Sequence, residues 1–279
     1  MALRAGSSVP PGWKRFEPLR PFRVAWLYFR VGAMNELQYR ANFFIQVFQS
    51  FLAMGTGLVV LALVFSQTTS LNGWSRPELL AVLGVQILMS GVIHTFIQPN
   101  MTHLLEDVRD GKLDFALTKP EDSQVIVSVR DVRIWQAVDI LSGAALLVVA
   151  VVQLGRGVSV WSALAFVAAL FIGAVMLYCF WLAITTGGFW LIRMDQIVEL
   201  FEGVFQSGRW PVGVYPGWLR LGLTFLVPIA FAVTVPAEAL TSRLNGRTLA
   251  LAAVLALVFL ALTRWFWRTG LKHYSGASA

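Results

Sequence analysis

Hydrophobic positions fall in long blocks along this chain, not in the short alternating runs of a soluble domain. Apolar stretches run from about Asn42 to Phe65, Leu79 to Ile97, Ile134 to Leu154, Trp161 to Gln206, Leu221 to Leu240 and Leu249 to Trp267. A helix needs about 20 apolar residues, at about 1.5 Å rise each, to cross a bilayer. The block from Trp161 to Gln206 is too long for one crossing. Thr185-Thr186-Gly187-Gly188 offers the break, because paired glycines disfavour continuation of a helix.

The segment from Gly208 to Arg220 carries Pro211 and Pro216 among glycines and aromatics, which no straight helix accommodates. Two topologies follow. In one, the fifth span is about Phe189 to Ser207, and Pro211 to Leu240 is a re-entrant pair on the outer side. In the other, the fifth span is Leu219 to Leu240 and Arg193 to Gly217 is cytoplasmic. Both give six crossings. The first places carboxylates in the membrane, and the second places two prolines in a span.

Composition agrees with the blocks. Of 279 residues, 57% are hydrophobic and 13% charged, about half the charged share of a soluble domain. The class is an all-α polytopic membrane protein. The formal charge of +7 is no sign of nucleic acid, since Lys and Arg collect beside the spans, where they set topology and meet anionic lipid. Cys179, the one cysteine, lies inside an apolar run and has no disulfide partner. Met1 to Arg40 lacks the apolar core of a secretory signal, so the first span is expected to target the chain.

Phe22, Trp26, Phe29, Ala33 and Leu37 recur at helical spacing among arginines, which predicts an interfacial amphipathic helix. The expected organisation is therefore a tail and interfacial helix over 1–41, a six-span domain over 42–268 and a tail over 269–279. A loop at 99–133 joins the second and third spans. With the N-terminus inside, Arg109, Lys112, Lys119, Arg130, Arg133, Arg193 and the basic C-terminus share one face. The bias puts both termini and that loop in the cytoplasm.

The loop holds the densest charged island, from Glu106, Asp107, Val108, Arg109 and Asp110 through Gly111, Lys112, Leu113, Asp114, Phe115, Ala116 and Leu117 to Thr118, Lys119 and Pro120. Leu104, Leu105 and Val108 form one side of a short helix that Gly111 ends or bends. On its residues alone the island reads equally as a solvated loop or as a lever for a soluble partner.

Catalytic chemistry is missing. There is no phosphate-cradling glycine loop, no HExxH, no GxSxG and no His/Cys/carboxylate cluster at metal spacing. No catalytic or metal residue is expected, and the chain cannot cradle nucleotide itself. Glu199 and Glu202 share a helix face, with Asp195 one turn earlier. Buried in the bilayer, they would line a translocation path. As interface or loop residues, they would be structural. His94 and Asp139 are further intramembrane ionisable groups. With Glu199 they would serve a self-contained secondary transporter or channel, the alternative reading.

Several stretches together resemble a known family. They are Glu36-Leu37-Gln38-Tyr39-Arg40-Ala41-Asn42-Phe43, Asp110-Gly111-Lys112-Leu113-Asp114 with Leu117 and Lys119-Pro120, and Trp210-Pro211 through Tyr215-Pro216-Gly217-Trp218-Leu219-Arg220. Val227-Pro228-Ile229-Ala230 and Val235-Pro236-Ala237-Glu238 follow. In this order the chain resembles the permease subunits of ATP-binding-cassette type-2 exporters, of the ABC-2 or viologen-exporter-like subgroup. The resemblance implies six spans, an N-terminal interfacial helix, a cytoplasmic coupling helix around Glu106 to Thr118, and outer re-entrant helices over 209–240. That favours the first topology, with Trp210, Pro211, Tyr215 and Pro216 in the outer turn.

The resemblance further implies a second permease, the same or a related chain, and two ATP-binding cassette subunits that hold ATP and Mg. It implies a multi-pass protein of the bacterial inner (plasma) membrane that exports its cargo. Short outer loops lean toward small amphipathic cargo of the kind seen in multidrug efflux.

Overall fold

The computed structural model describes residues 40–119, 121–155, 157, 159–190 and 195–274, together with Trp26, Leu27, Arg30 and Met34. Of the expected interfacial helix, Trp26 is described, helical and exposed. Phe22, Phe29, Ala33 and Leu37 lie outside the described residues.

The described chain is nearly all helix. In order come α1 (Arg40–Gln67), α2 (Arg76–Arg109), the short α3 (Asp114–Leu117) and α4 (Ser123–Val129), then α5 (Ala137–Leu154) and α6 (Val160–Gly187). They are followed by α7 (Asp195–Phe205), α8 (Gly217–Leu226), α9 (Ala230–Leu240) and α10 (Gly246–His273). Five of these, α1, α2, α5, α6 and α10, are long and apolar enough to cross a membrane. Helices α8 and α9 are bent by 79° across a short break and make a sixth crossing if counted as one span. The all-α polytopic architecture expected from the hydropathy blocks is present.

Local chemistry sets the helix starts. Ser75 and Glu78 form a reciprocal capping box at α2, with Pro77 in its first turn. Ser159 accepts from the Trp161 N–H at α6, and Asn245 from the Arg247 N–H at α10. Gly155, with φ of 61°, closes α5 in the left-handed region that a side chain would strain.

Helix α2 is the axis of the bundle. Of its most apolar stretch 72% is buried, against 17% for α1 and for α10. The outer helices instead expose Phe44, Phe48, Leu141, Phe171 and Leu257, apolar faces that suit lipid as solvent. Helix α5 lies against α2 along glycines. A Cβ on Gly143 would meet the Leu88 nitrogen at 2.4 Å, and one on Gly91 the Ile140 nitrogen at 2.6 Å. Small residues at a crossing let backbones touch, which is how helices associate where no hydrophobic effect drives them.

One expectation is corrected here. The helix that carries the second span does not stop near Ile97. Helix α2 runs on to Arg109, 34 residues and about 51 Å. Gln98-Pro99-Asn100 reads as a stop in sequence, but Pro99 follows a π turn over Ile93–Ile97. That turn already redirects the hydrogen bonds that proline would have broken. Consequently Glu106 to Arg109 are the last turn of a spanning helix, not a separate coupling helix reaching Thr118.

Of the expected fifth span, about Phe189 to Ser207, the described helix is α7, with 11 residues, about 17 Å; residues 191–194 lie outside the described residues.

Candidate functional site

The polar residues inside the apolar blocks lie at helical spacing and converge. Gln86, Ser90, His94 and Gln98 repeat every four residues on α2, and so share one face. Gln46, Gln49, Ser50 and Ala53 form a matching stripe on α1. Gln136 and Asp139 come from the start of α5, and Glu202 from α7. All face one cavity of about 360 Å³ between these helices. The cavity lies in the half of the bundle toward the 110–133 loop, because it uses the early part of α1, the later part of α2 and the first turn of α5.

Hydrogen bonds hold its carboxylates in place. Gln46 donates through Nε2 to Asp139 Oδ2 at 3.4 Å, and Gln98 through Nε2 to Glu202 Oε1 at 2.9 Å. His94 Nε2 lies 3.9 Å from the same Glu202 oxygen. Helix α7 presents Glu202 here because Phe201 and Phe205, one turn apart, are buried. Phe201 meets Trp181 edge to face at 4.8 Å and stacks on Phe205 at 5.6 Å. Arg133 and Arg209 also line the cavity.

The far side of the cavity is closed by the segment after α7. Gly208 packs so tightly that a Cβ would meet Ile229 at 3.0 Å, with Gln86 next to it. Pro211 is buried, the Val212 N–H donates to Thr234 Oγ1 at 3.3 Å, and the Tyr215 hydroxyl donates to the Ser207 carbonyl at 2.8 Å. Partial burial pushes the Tyr215 phenol up. Trp210 is half-buried and Pro216 exposed. Nearby, the Arg243 guanidinium grips Glu78 through Nε and Nη2, both at 2.8 Å. It also donates to the Gly73 carbonyl at 2.6 Å and lies over Trp74.

At the other end, α2 emerges as an exposed tip. Gly111, at φ of 69°, reverses the chain. Asp107 and Leu113 turn inward, and Val108 is half-buried. Asp107 accepts from Arg130 Nη2 at 2.7 Å. Glu106, Arg109, Asp110, Phe115 and Leu117 turn outward, Phe115 with 75% of its surface free. Lys112 bonds Asp110 at 2.9 Å, and this contact holds the carboxyl below, and the ammonium above, their usual values. Behind the tip, Asp122 caps α4 and binds the Arg264 guanidinium of α10 through both oxygens. Arg264 also donates to Gln124 Oε1 at 2.7 Å. Arg264 holds the Asp122 carboxyl below the ordinary carboxylate range.

The chain is thus a multi-pass helical bundle with a polar interior chamber, a charged tip and a bent, proline-rich helix pair. A family model described as an ABC-2 family transporter protein matches residues 51–278. The chain belongs to the ABC-2 transporter family. No curated protein and no solved structure matches it.

As an ABC-2 permease it is a membrane component of a transporter, working with an ATP-binding subunit. Among the described residues, no group of His, Cys, Asp and Glu is arranged to hold a metal ion.

Of the path residues expected from sequence, Glu202 lines the permease's chamber. Glu199 is exposed and is not part of its wall, and the Asp195 side chain lies outside the described residues. His94 and Asp139 join Glu202 at the cavity. What the sequence reading missed is the glutamine wall. Its signal was present: polar residues every fourth position through an otherwise apolar α2, in register with a second stripe on α1.

Proposed function

We propose that this ABC-2 permease carries cargo outward across the bacterial inner (plasma) membrane by alternating access, driven by ATP hydrolysis on a separate subunit. Both termini and the 110–133 loop face the cytoplasm. Two ATP-binding subunits dock at the Arg109–Leu117 tip and hold ATP and Mg, and a second permease, the same or a related chain, completes the pathway.

The observation that carries this reading is the continuity of α2. One unbroken helix lines the chamber at Gln86, Ser90, His94 and Gln98 and ends at Arg109 in the exposed tip. Displacement at the tip passes along this helix to the chamber wall, where packed elements rearrange as units. The chamber's position toward the loop side, closed on the other side by Val212, Ile229 and Val233, supports loading from the cytoplasm.

The test uses Arg109→Glu and Asp110→Lys, assayed with the ATP-binding subunit in proteoliposomes. Both variants are expected to insert at wild-type levels while transport and cargo-stimulated ATP hydrolysis fall together. Wild-type coupling in both would overturn the docking assignment. Transport by the permease alone under an ion gradient would overturn the ATP-driven mechanism.

A further inference from the structure

Outside the chamber this protein forms several close ion pairs. Arg130 meets Asp107 at 2.7 Å, Arg243 meets Glu78 at 2.8 Å, and Arg264 meets Asp122 through two oxygens. Inside the chamber it does not. Asp139, Glu202, Arg133 and Arg209 line the same 360 Å³. Among the described residues, neither arginine comes within ion-pair distance of either carboxylate. The carboxylates are held by neutral amides instead, Gln46 on Asp139 and Gln98 on Glu202.

Glu202 keeps 46% of its side-chain surface free, so the chamber's charges are open to a ligand. A second observation points the same way. Gln86 is 5% exposed, its side chain lines the chamber, and it has no hydrogen-bond partner among the described residues. Its amide opens onto the chamber and not onto a protein partner, so it is free to bond a ligand there.

We propose that the chamber binds a small zwitterion bearing amide or hydroxyl groups, an amino-carboxylate of about di- or tripeptide size. The proposal rests on the reading of this chamber as the cargo site. Glu202 and Asp139 receive the ammonium, and Arg133 and Arg209 receive the carboxylate. Gln86 satisfies an amide or hydroxyl of the ligand at the Arg209 end. A simple cation would leave both guanidinium groups uncompensated, and a simple anion would leave both carboxylates so. The volume lies at the small end of ligand pockets, about 300–1,000 Å³.

The test measures ligand-induced stabilisation of the purified full chain in phosphatidylcholine nanodiscs. The probes are a mixed di- and tripeptide pool in four forms: free, N-acetylated, C-amidated and capped at both ends. The free pool is expected to bind about tenfold or more tighter than any capped form. Glu202→Gln is expected to erase its advantage over the N-acetylated pool, and Arg209→Gln its advantage over the C-amidated pool. Unliganded unfolding temperatures of both variants report that they are folded, and a variant that fails this check is replaced by Asp139→Asn or Arg133→Gln. Equal binding of free and amidated pools would make this a cation site and overturn the proposal. Equal binding of free and acetylated pools, of all four pools, or no binding of any pool would overturn it as well. Failure here leaves ATP coupling through Arg109 and Asp110 standing. Peptide binding without that coupling would sink the mechanism and keep the ligand class.

Discussion

The backbone N–H of Arg133 donates to the Thr95 carbonyl at 3.1 Å, the carbonyl that Pro99, four residues on, has no N–H to reach. The proline therefore creates an acceptor on α2, and the chain leading to α5 uses it. Asn100 reinforces the junction. Its Nδ2 donates to the Phe96 carbonyl at 2.8 Å and the Asp131 carbonyl at 2.7 Å, and its Oδ1 accepts the Asp131 N–H at 2.8 Å. This seam sets Arg133 at the chamber and ties the tip to the wall.

Asn100→Ala should therefore destabilise the permease by about 2–4 kcal/mol, since a buried N–H loses its partner with the amide. Thermal unfolding in nanodiscs measures it. A shift within about 0.5 kcal/mol, the size of an ordinary surface substitution, would show that the seam does not hold this end together.

Gly143→Ala should cost about 1–3 kcal/mol, because the added methyl meets the α2 backbone at 2.4 and 2.8 Å and backbone atoms cannot step aside as a side chain does. Gly55→Ala on α1 meets nothing within 4 Å and should be neutral or stabilising. Equal unfolding temperatures for the two variants would contradict the close α2–α5 crossing.

Arg243→Ala should loosen the link between α1 and α2. The guanidinium holds Glu78 and the Gly73 carbonyl at once, so its loss frees the turn over Leu71–Trp74. Hydrogen exchange over 68–75 should rise, with a stability loss of about 1–3 kcal/mol. Arg243→Lys keeps the charge but not the fork and should recover only part of the protection. Unchanged exchange in Arg243→Ala would remove the clamp from the account.

Acid should weaken the attachment of α4 to α10. Arg264 depresses the Asp122 carboxyl in the folded state. That contribution is complete above the unfolded value, near about 3.9, and fades as pH falls through the lower folded value. Asp122→Asn should thus lower the unfolding temperature at neutral pH and shrink the further drop between neutral pH and about pH 3. An identical acid profile in the variant would mean the pair contributes nothing.

Much of this was legible in the chain. The hydropathy blocks mark the spanning helices to within a few residues at α1, α5 and α6, because bilayer thickness dictates length whatever the neighbours are. The capping pairs at Ser75/Glu78 and Asn245 are equally local. The extent of α2 was not legible. Pro99 and the charges after it look like an end, and only the π turn and the Arg133 and Asn100 bonds let the helix continue.

The sequence by itself determined that this is a six-block helical membrane protein, since composition and period alone decide solvent and secondary structure. Tertiary structure decided which polar residues act together. Gln46 and Asp139 are 93 residues apart and Gln98 and Glu202 are 104 apart, and no local pattern reports such a pairing. It follows from glycines that let α5 approach α2, and from Phe201 and Phe205 turning α7 so that its one chamber carboxylate faces the imidazole of His94.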